Sequence, residues 1–154
     1  MKKLLLLTTL FLAFACSKDE GDGDDDSNAN QTFLQKYDGF GFYAGDEYAD
    51  EYWFFYDSDV FLKYVDIDIS DGECYHESIR TGNTSVDGDS IEIKILKNDQ
   101  SILTVQVSMT SEGTTEIDTI EFSIDSQGNN LTVLEGNDSS IFTKTTKSFS
   151  SVCN

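Results

Sequence analysis

From about residue 32 onward the chain is a succession of short stretches in which apolar and polar side chains alternate, broken at Gly, Asn and Asp. Ile91, Ile93 and Ile95 alternate with Glu92 and Lys94; after a break at Asn98-Asp99-Gln100, Leu103, Val105, Val107 and Met109 alternate with Thr104, Gln106 and Ser108. Successive side chains of a strand point to opposite faces, so a period of two predicts strands with one buried face, and these two runs read as a hairpin. Beyond Glu112-Gly113, Ile120, Phe122 and Ile124 alternate with Glu121, Ser123 and Asp125. Gly128-Asn129-Asn130 then turns into residues 131–134, and Gly136-Asn137-Asp138 into 141–146. Residues 40–43, 51–56, 60–69 and 74–79 are further strand candidates, rich in aromatic and β-branched side chains.

No window sustains a helical period with caps, although residues 32–37 suit a single helical turn. Proline is absent, so the turns rest on Gly, Asn and Asp. Roughly nine short strands joined by tight turns predict an all-β fold, an up-and-down antiparallel meander. Closing it into a barrel removes its exposed edges.

The first thirty residues follow another logic. Lys2 and Lys3 precede an apolar run over 4–14, the pattern of a signal peptide and too short to span a bilayer, which takes about twenty apolar residues. The run ends Ala13-Phe14-Ala15-Cys16, which resembles the lipobox of bacterial lipoproteins. The resemblance implies cleavage after residue 15, a diacylglyceryl group on the Cys16 thiol, and a membrane partner reached through lipid alone. Two or three acyl chains hold a protein stably where one does not. Lys18, Asp19 and Glu20 follow, similar to the lysine-plus-acids signal that sends lipoproteins of Bacteroidetes to the outer face of the outer membrane. The Gly/Asp/Ser/Asn stretch up to residue 31 has little to bury and reads as an acidic tether. The expected organisation is therefore a signal peptide over 1–15, a lipidated tether over 16–31 and one domain over 32–154. A domain of roughly 120 residues is large enough for one core.

Charge narrows the partners. The chain carries a formal −19; three lysines and six acids precede residue 31, which leaves −16 on 31–154. Such a domain repels nucleic acid, whose binding needs clustered Lys or Arg, and attracts cations and basic proteins. Of the three cysteines, lipidation consumes Cys16, and Cys74 and Cys153 are left as an even pair for an oxidising compartment. A disulfide fits them better than metal ligation, because His76 is the single histidine.

Gly128-Asn129-Asn130-Leu131-Thr132-Val133, the following Gly-Asn-Asp turn and Ile141-Phe142-Thr143-Lys144-Thr145 resemble the closing strand pair of lipocalin-like lipoproteins from Bacteroidetes. Residues 33–39 and the Glu73-Cys74-Tyr75 segment are similar to small lipoproteins of the same group. The resemblance implies a lipocalin-like barrel. Where lipocalins open with Gly-x-Trp, this chain has Gly39-Phe40-Gly41-Phe42.

The densest candidate for function is Tyr52, Trp53, Phe54, Phe55 and Tyr56, continued by Phe61, Tyr64 and Tyr75. Alternation sets Tyr52, Phe54 and Tyr56 on one face and Trp53 and Phe55 on the other. Wall packing accounts for such a cluster; an aromatic-lined pocket for an apolar or amphipathic ligand is the functional alternative. Asp66, Asp68, Asp71 and Glu73 lack the glycine spacing of an EF-type calcium loop and read as a solvated face. No nucleophile motif, phosphate-cradling loop or zinc spacing occurs, so no cofactor and no catalysis are expected. Two functions follow: a small-ligand binder, or a protein-binding lipoprotein directed at a basic partner such as lysozyme, or an adhesin.

Overall fold

A computed structural model describes residues 31–86 and 89–153. The leader, Cys16, Lys18, Asp19, Glu20 and the tether lie outside the described residues. A one-turn helix α1 (Phe33–Lys36) precedes ten strands: β1 (Gly41–Gly45), β2 (Ala49–Phe55), β3 (Val60–Asp68), β4 (Cys74–Arg80), β5 (Gly82–Val86), β6 (Asp89–Asn98), β7 (Ile102–Ser111), β8 (Thr114–Ile124), β9 (Asn130–Glu135) and β10 (Asp138–Thr145). A second single turn, α2 (Phe149–Val152), ends the described chain.

Each strand pairs antiparallel with its chain neighbour, and β10 returns to pair with β1 (Gly41 opposite Thr145). The result is the expected all-β, up-and-down antiparallel meander, wrapped into a nearly closed barrel. One neighbouring pair stays unjoined. β4 and β5 are the two edges of the sheet although only Thr81 separates them in the chain. The chain reverses at Gly82, whose φ of +115° is a conformation that L side chains rarely adopt. β4 pairs only with β3 and β5 only with β6, which leaves a lateral seam in the wall.

Because turns alternate between the two ends of a meander, the barrel has distinct ends. α1, the turns after β2, β6 and β8, and the last residues of β10 lie at one end. Thr32 caps α1 reciprocally: its Oγ1 accepts from the Gln35 backbone N–H (3.3 Å), and its own N–H donates to Gln35 Oε1 (3.1 Å). Leu34 N–H donates to Asn98 Oδ1 (3.2 Å), tying the helix to the end of β6. The buried Phe33, Leu34 and Tyr37 thereby plug the end of the barrel against Phe42, Phe55, Phe61, Phe122 and Leu131. Phe33 meets Phe55 edge-on at 5.1 Å, and Phe55 meets Phe122 at 5.5 Å, separations at which aromatic pairs attract. The plug is thus built from phenylalanines, Leu34 and Tyr37.

A smaller core lies outside the barrel wall. Tyr52, Phe54 and Val65 point away from the lumen and are covered by Phe149 and Val152 of α2. Cys74 and Cys153 are joined, with Cα atoms 5.8 Å apart, and this bond holds α2 on the wall. Gly41 is required here: a Cβ on it would stand 2.5 Å from Cε1 of Phe54, so the ring lies where a side chain would be.

Ten strands form where alternation predicts about nine. The additional strand is β5, Gly-Asn-Thr-Ser-Val, which has no run of apolar residues to alternate. Two bulges also break the expected period. Phe61 is inserted between Val60 and Leu62 opposite β4, so Phe61 and Leu62 are both buried. Leu96 is inserted between Ile95 and Lys97 opposite β7 and is 54% exposed.

Candidate functional site

The inner face divides into two walls. Register places Trp53 of β2, Tyr64 of β3 and Glu77 of β4 side by side, with Leu62 and Ile79 one step nearer the plug. Across the lumen stand Ile91 and Ile93 of β6, Val105 and Val107 of β7 and Ile120 of β8, their alternation aiming branched aliphatic side chains inward. Between these walls is a cavity of about 480 Å³ that also touches Ser78 and Thr84, residues of the two unpaired edges. The cavity therefore opens at the seam. Other recesses are smaller or more polar; one of about 200 Å³ lies among β1, β2 and β10 at the open end, beside Glu51 and Phe142.

Trp53 forms the deep side. Its ring lies 4.5 Å from Tyr64, 5.3 Å from Phe122 and 6.4 Å from Phe142, which fixes the indole between the plug and the cavity. Its Nε1–H is buried and has no hydrogen-bond partner among the described residues. Leaving such a donor unpaired costs about 1–3 kcal/mol.

Around Tyr64 the charges are all of one sign. Glu77 stands directly opposite on β4, Asp66 two residues along β3, and Glu51 diagonally on β2. Burial first, and then Glu51, Asp66 and Glu77, push the Tyr64 phenol well above its ordinary range. Burial, followed by repulsion from Asp66 and Asp46, raises the Glu51 carboxyl. Asp66 Oδ1 is buried without a partner among the described residues, and the Tyr75 hydroxyl donates to Glu77 Oε1.

Of the eight aromatic residues of the candidate cluster, only Trp53 and Tyr64 line this cavity, and Tyr75 is exposed at the open end. Tyr52 and Phe54 are buried in the outer core under α2, and Tyr56 packs against that core, where Lys63 Nζ lies 5.2 Å from its ring. Phe55 points inward as alternation predicts, but too near α1 to reach the cavity, and the bulge sends Phe61 into the same plug. These five are corrected to structural roles. The missed lining is aliphatic, Ile91, Ile93, Val105, Val107 and Ile120, which reads in the sequence as ordinary core.

Among the acids expected on a solvated face, Asp68 Oδ1 accepts from Ser70 N–H (2.7 Å) and Asp71 Oδ1 from Glu73 N–H (2.9 Å), closing the turn after β3. Asp66 departs from that expectation by facing inward. His76 lies outside the barrel, its ring 6.0 Å from Phe149. Among the described residues no group of three His, Cys, Asp or Glu side chains converges as metal ligands, and no helix is long and apolar enough to cross a membrane. No protein-family model, curated protein or solved structure matches this chain.

Proposed function

We propose that this chain is a lipoprotein anchored in the outer membrane through Cys16, and that its lipocalin-like barrel binds one small apolar or amphipathic ligand. The observation that carries the reading is the cavity of about 480 Å³ between Trp53 and the Ile91, Ile93, Val105, Val107 and Ile120 wall. Its volume lies within the range of small-molecule sites, roughly 300–1,000 Å³, and its lining is apolar with a few polar groups at one side, as such sites are. The unjoined β4–β5 edges give a way in. A binder without catalysis is favoured because His76 sits on the outer face and no nucleophile–base pair lines the cavity. The lipobox at Cys16 and the Lys18-Asp19-Glu20 sequence support a lipid-anchored, surface-exposed location.

Native mass spectrometry of the domain recovered from its own host tests the binding reading. A single retained small molecule, lost on denaturation, is the expected result; uniformly unliganded protein that takes up no apolar probe would overturn it. For the anchor, Cys16→Ser should release the protein from membranes, and a mutant that still fractionates with them would refute lipidation.

One observation favours the second reading, a basic protein partner. Tyr48, Ile69 and Tyr75 are 71%, 50% and 55% exposed at the open end, on a domain carrying −16. Tyr48 and Ile69 are held together by the Ile69 N–H, which donates to the Tyr48 carbonyl (2.9 Å). Aromatic anchors within an acidic field suit a cationic protein surface.

A further inference from the structure

We infer that the cavity selects an organic ammonium ion: an apolar body seated on the aliphatic wall, with its charged nitrogen at the Tyr64–Glu77 side. This rests on the binding reading above and names the ligand class within it.

The argument is the segregation of charge by strand register. Inward positions of β2, β3 and β4 carry Glu51, Asp66 and Glu77, and inward positions nearer the open end of β8 and β9 carry Glu116, Asp118 and Glu135. The strand bases fall elsewhere. Lys63, His76, Arg80, Lys94 and Lys97 occupy outward positions, and Lys144 lies at the plugged end, its Nζ 3.9 Å from the Phe40 ring. With acids alone on the inner face above the plug and low-dielectric walls, the field in the cavity and open end is negative and focused.

A fatty acid, which an apolar barrel of this size would otherwise accommodate, is therefore repelled. A cation is attracted three times over. Glu77 supplies a carboxylate at the cavity edge, and Tyr64 and Trp53 supply aromatic faces whose quadrupoles favour positive charge. Asp66, one inward step beyond Tyr64 and outside the cavity's own lining, adds a further carboxylate on the same side, with one buried oxygen lacking a donor among the described residues. A bare metal ion is disfavoured because the carboxylates do not converge as ligands and the opposite wall is aliphatic. The two walls match an amphipathic ligand, not a spherical one.

Titration calorimetry of the domain with octylammonium, octanol and octanoate holds the tail constant and varies the head. The ammonium should bind tightest at one per chain, octanol next, and octanoate should not bind measurably. Glu77→Gln should weaken octylammonium by about fivefold, the worth of one partly exposed ion pair, and leave octanol unchanged. Asp59→Asn, an equal charge change in the turn after β2 at the plugged end, should alter neither. Octanol binding as tightly as octylammonium would overturn the ammonium assignment while leaving the cavity reading intact. Equal weakening by Glu77→Gln and Asp59→Asn would reduce the preference to bulk charge, and overturn the site. Failure of all three ligands would sink the cavity reading itself.

Discussion

The two ends of this barrel are built from the same strands and differ in almost every physical respect. At the plugged end the inward side chains are Phe42, Phe55, Phe122 and Leu131, sealed by α1, and all are fully buried. Toward the open end the same strands carry Glu51, Asp66, Glu116 and Glu135 inward, and the wall between β4 and β5 is unjoined. Folding free energy is concentrated where the phenylalanines interlock. The cavity sits at the boundary, with Trp53 belonging to both halves. A binding site gains from this arrangement, because its lining can change without the fold being lost.

The largest effect that would sharpen the comparison is Phe55→Ala. Removing a fully buried ring beside Phe33 and Phe122 should cost about 3–5 kcal/mol in a urea melt. The corresponding change across the cavity, Ile93→Ala, should cost less, because Ile93 is half-buried and the space beside it is already open. Equal costs would break the distinction between the ends.

Next in size is the outer core. Replacing Cys74 and Cys153 by Ser should lower stability by about 2–4 kcal/mol through the entropy of a longer free chain, and release α2 from Tyr52 and Phe54. Ligand affinity should be retained, because α2 lies outside the wall. Gly41→Ala should cost about 1–3 kcal/mol, since the new methyl meets the Phe54 ring.

Much of this was legible in the residues, and the failures have physical causes. Alternation within Ile91–Ile95, Leu103–Met109 and Ile120–Ile124 exposes both the strands and their inward faces, because a half-buried strand leaves a period-two record. Trp53 and Phe55 were separable from Tyr52 and Phe54 for the same reason. Alternation does not tell the lumen from the outer wall, however, and here both faces of β2 are apolar because α2 covers the outer one. Alternation splits the Tyr52–Tyr56 cluster into two faces without saying which lines a cavity, and the structure makes them two cores back to back. β5 escapes because Gly82, Asn83, Thr84 and Ser85 have no apolar stripe, and its place is fixed by pairing with β6. The acid-only inner face above the plug is visible only once register has sorted inward acids from outward bases.

The smallest predicted effects concern pH. Asp46 and Asp68 at open-end turns and Asp125 at a plugged-end turn have carboxyls lowered chiefly by hydrogen bonds within their own turns, and Asp99 at the other plugged-end turn is lowered first by the Lys97 ammonium beside it. A lowered folded value contributes stability that is present above the ordinary carboxylate range and lost as pH falls through the folded value. Glu51 has the opposite sign: its raised value favours the protonated form in the folded state, so its contribution is present at low pH and lost as pH rises through the folded value. Glu51→Gln should therefore raise stability slightly at neutral pH, while Asp125→Asn lowers it. Thermal melts across the acid range check both signs.

Trp53 is the sole tryptophan, and it lines the cavity, so its fluorescence reports on the central claim without a label. Titrating the folded domain with a short alkyl chain carrying a terminal bromine should quench Trp53 saturably, at one equivalent, and octylammonium should reverse the quenching. Quenching that rises linearly without saturation, and is untouched by octylammonium, would contradict a ligand cavity beside the seam.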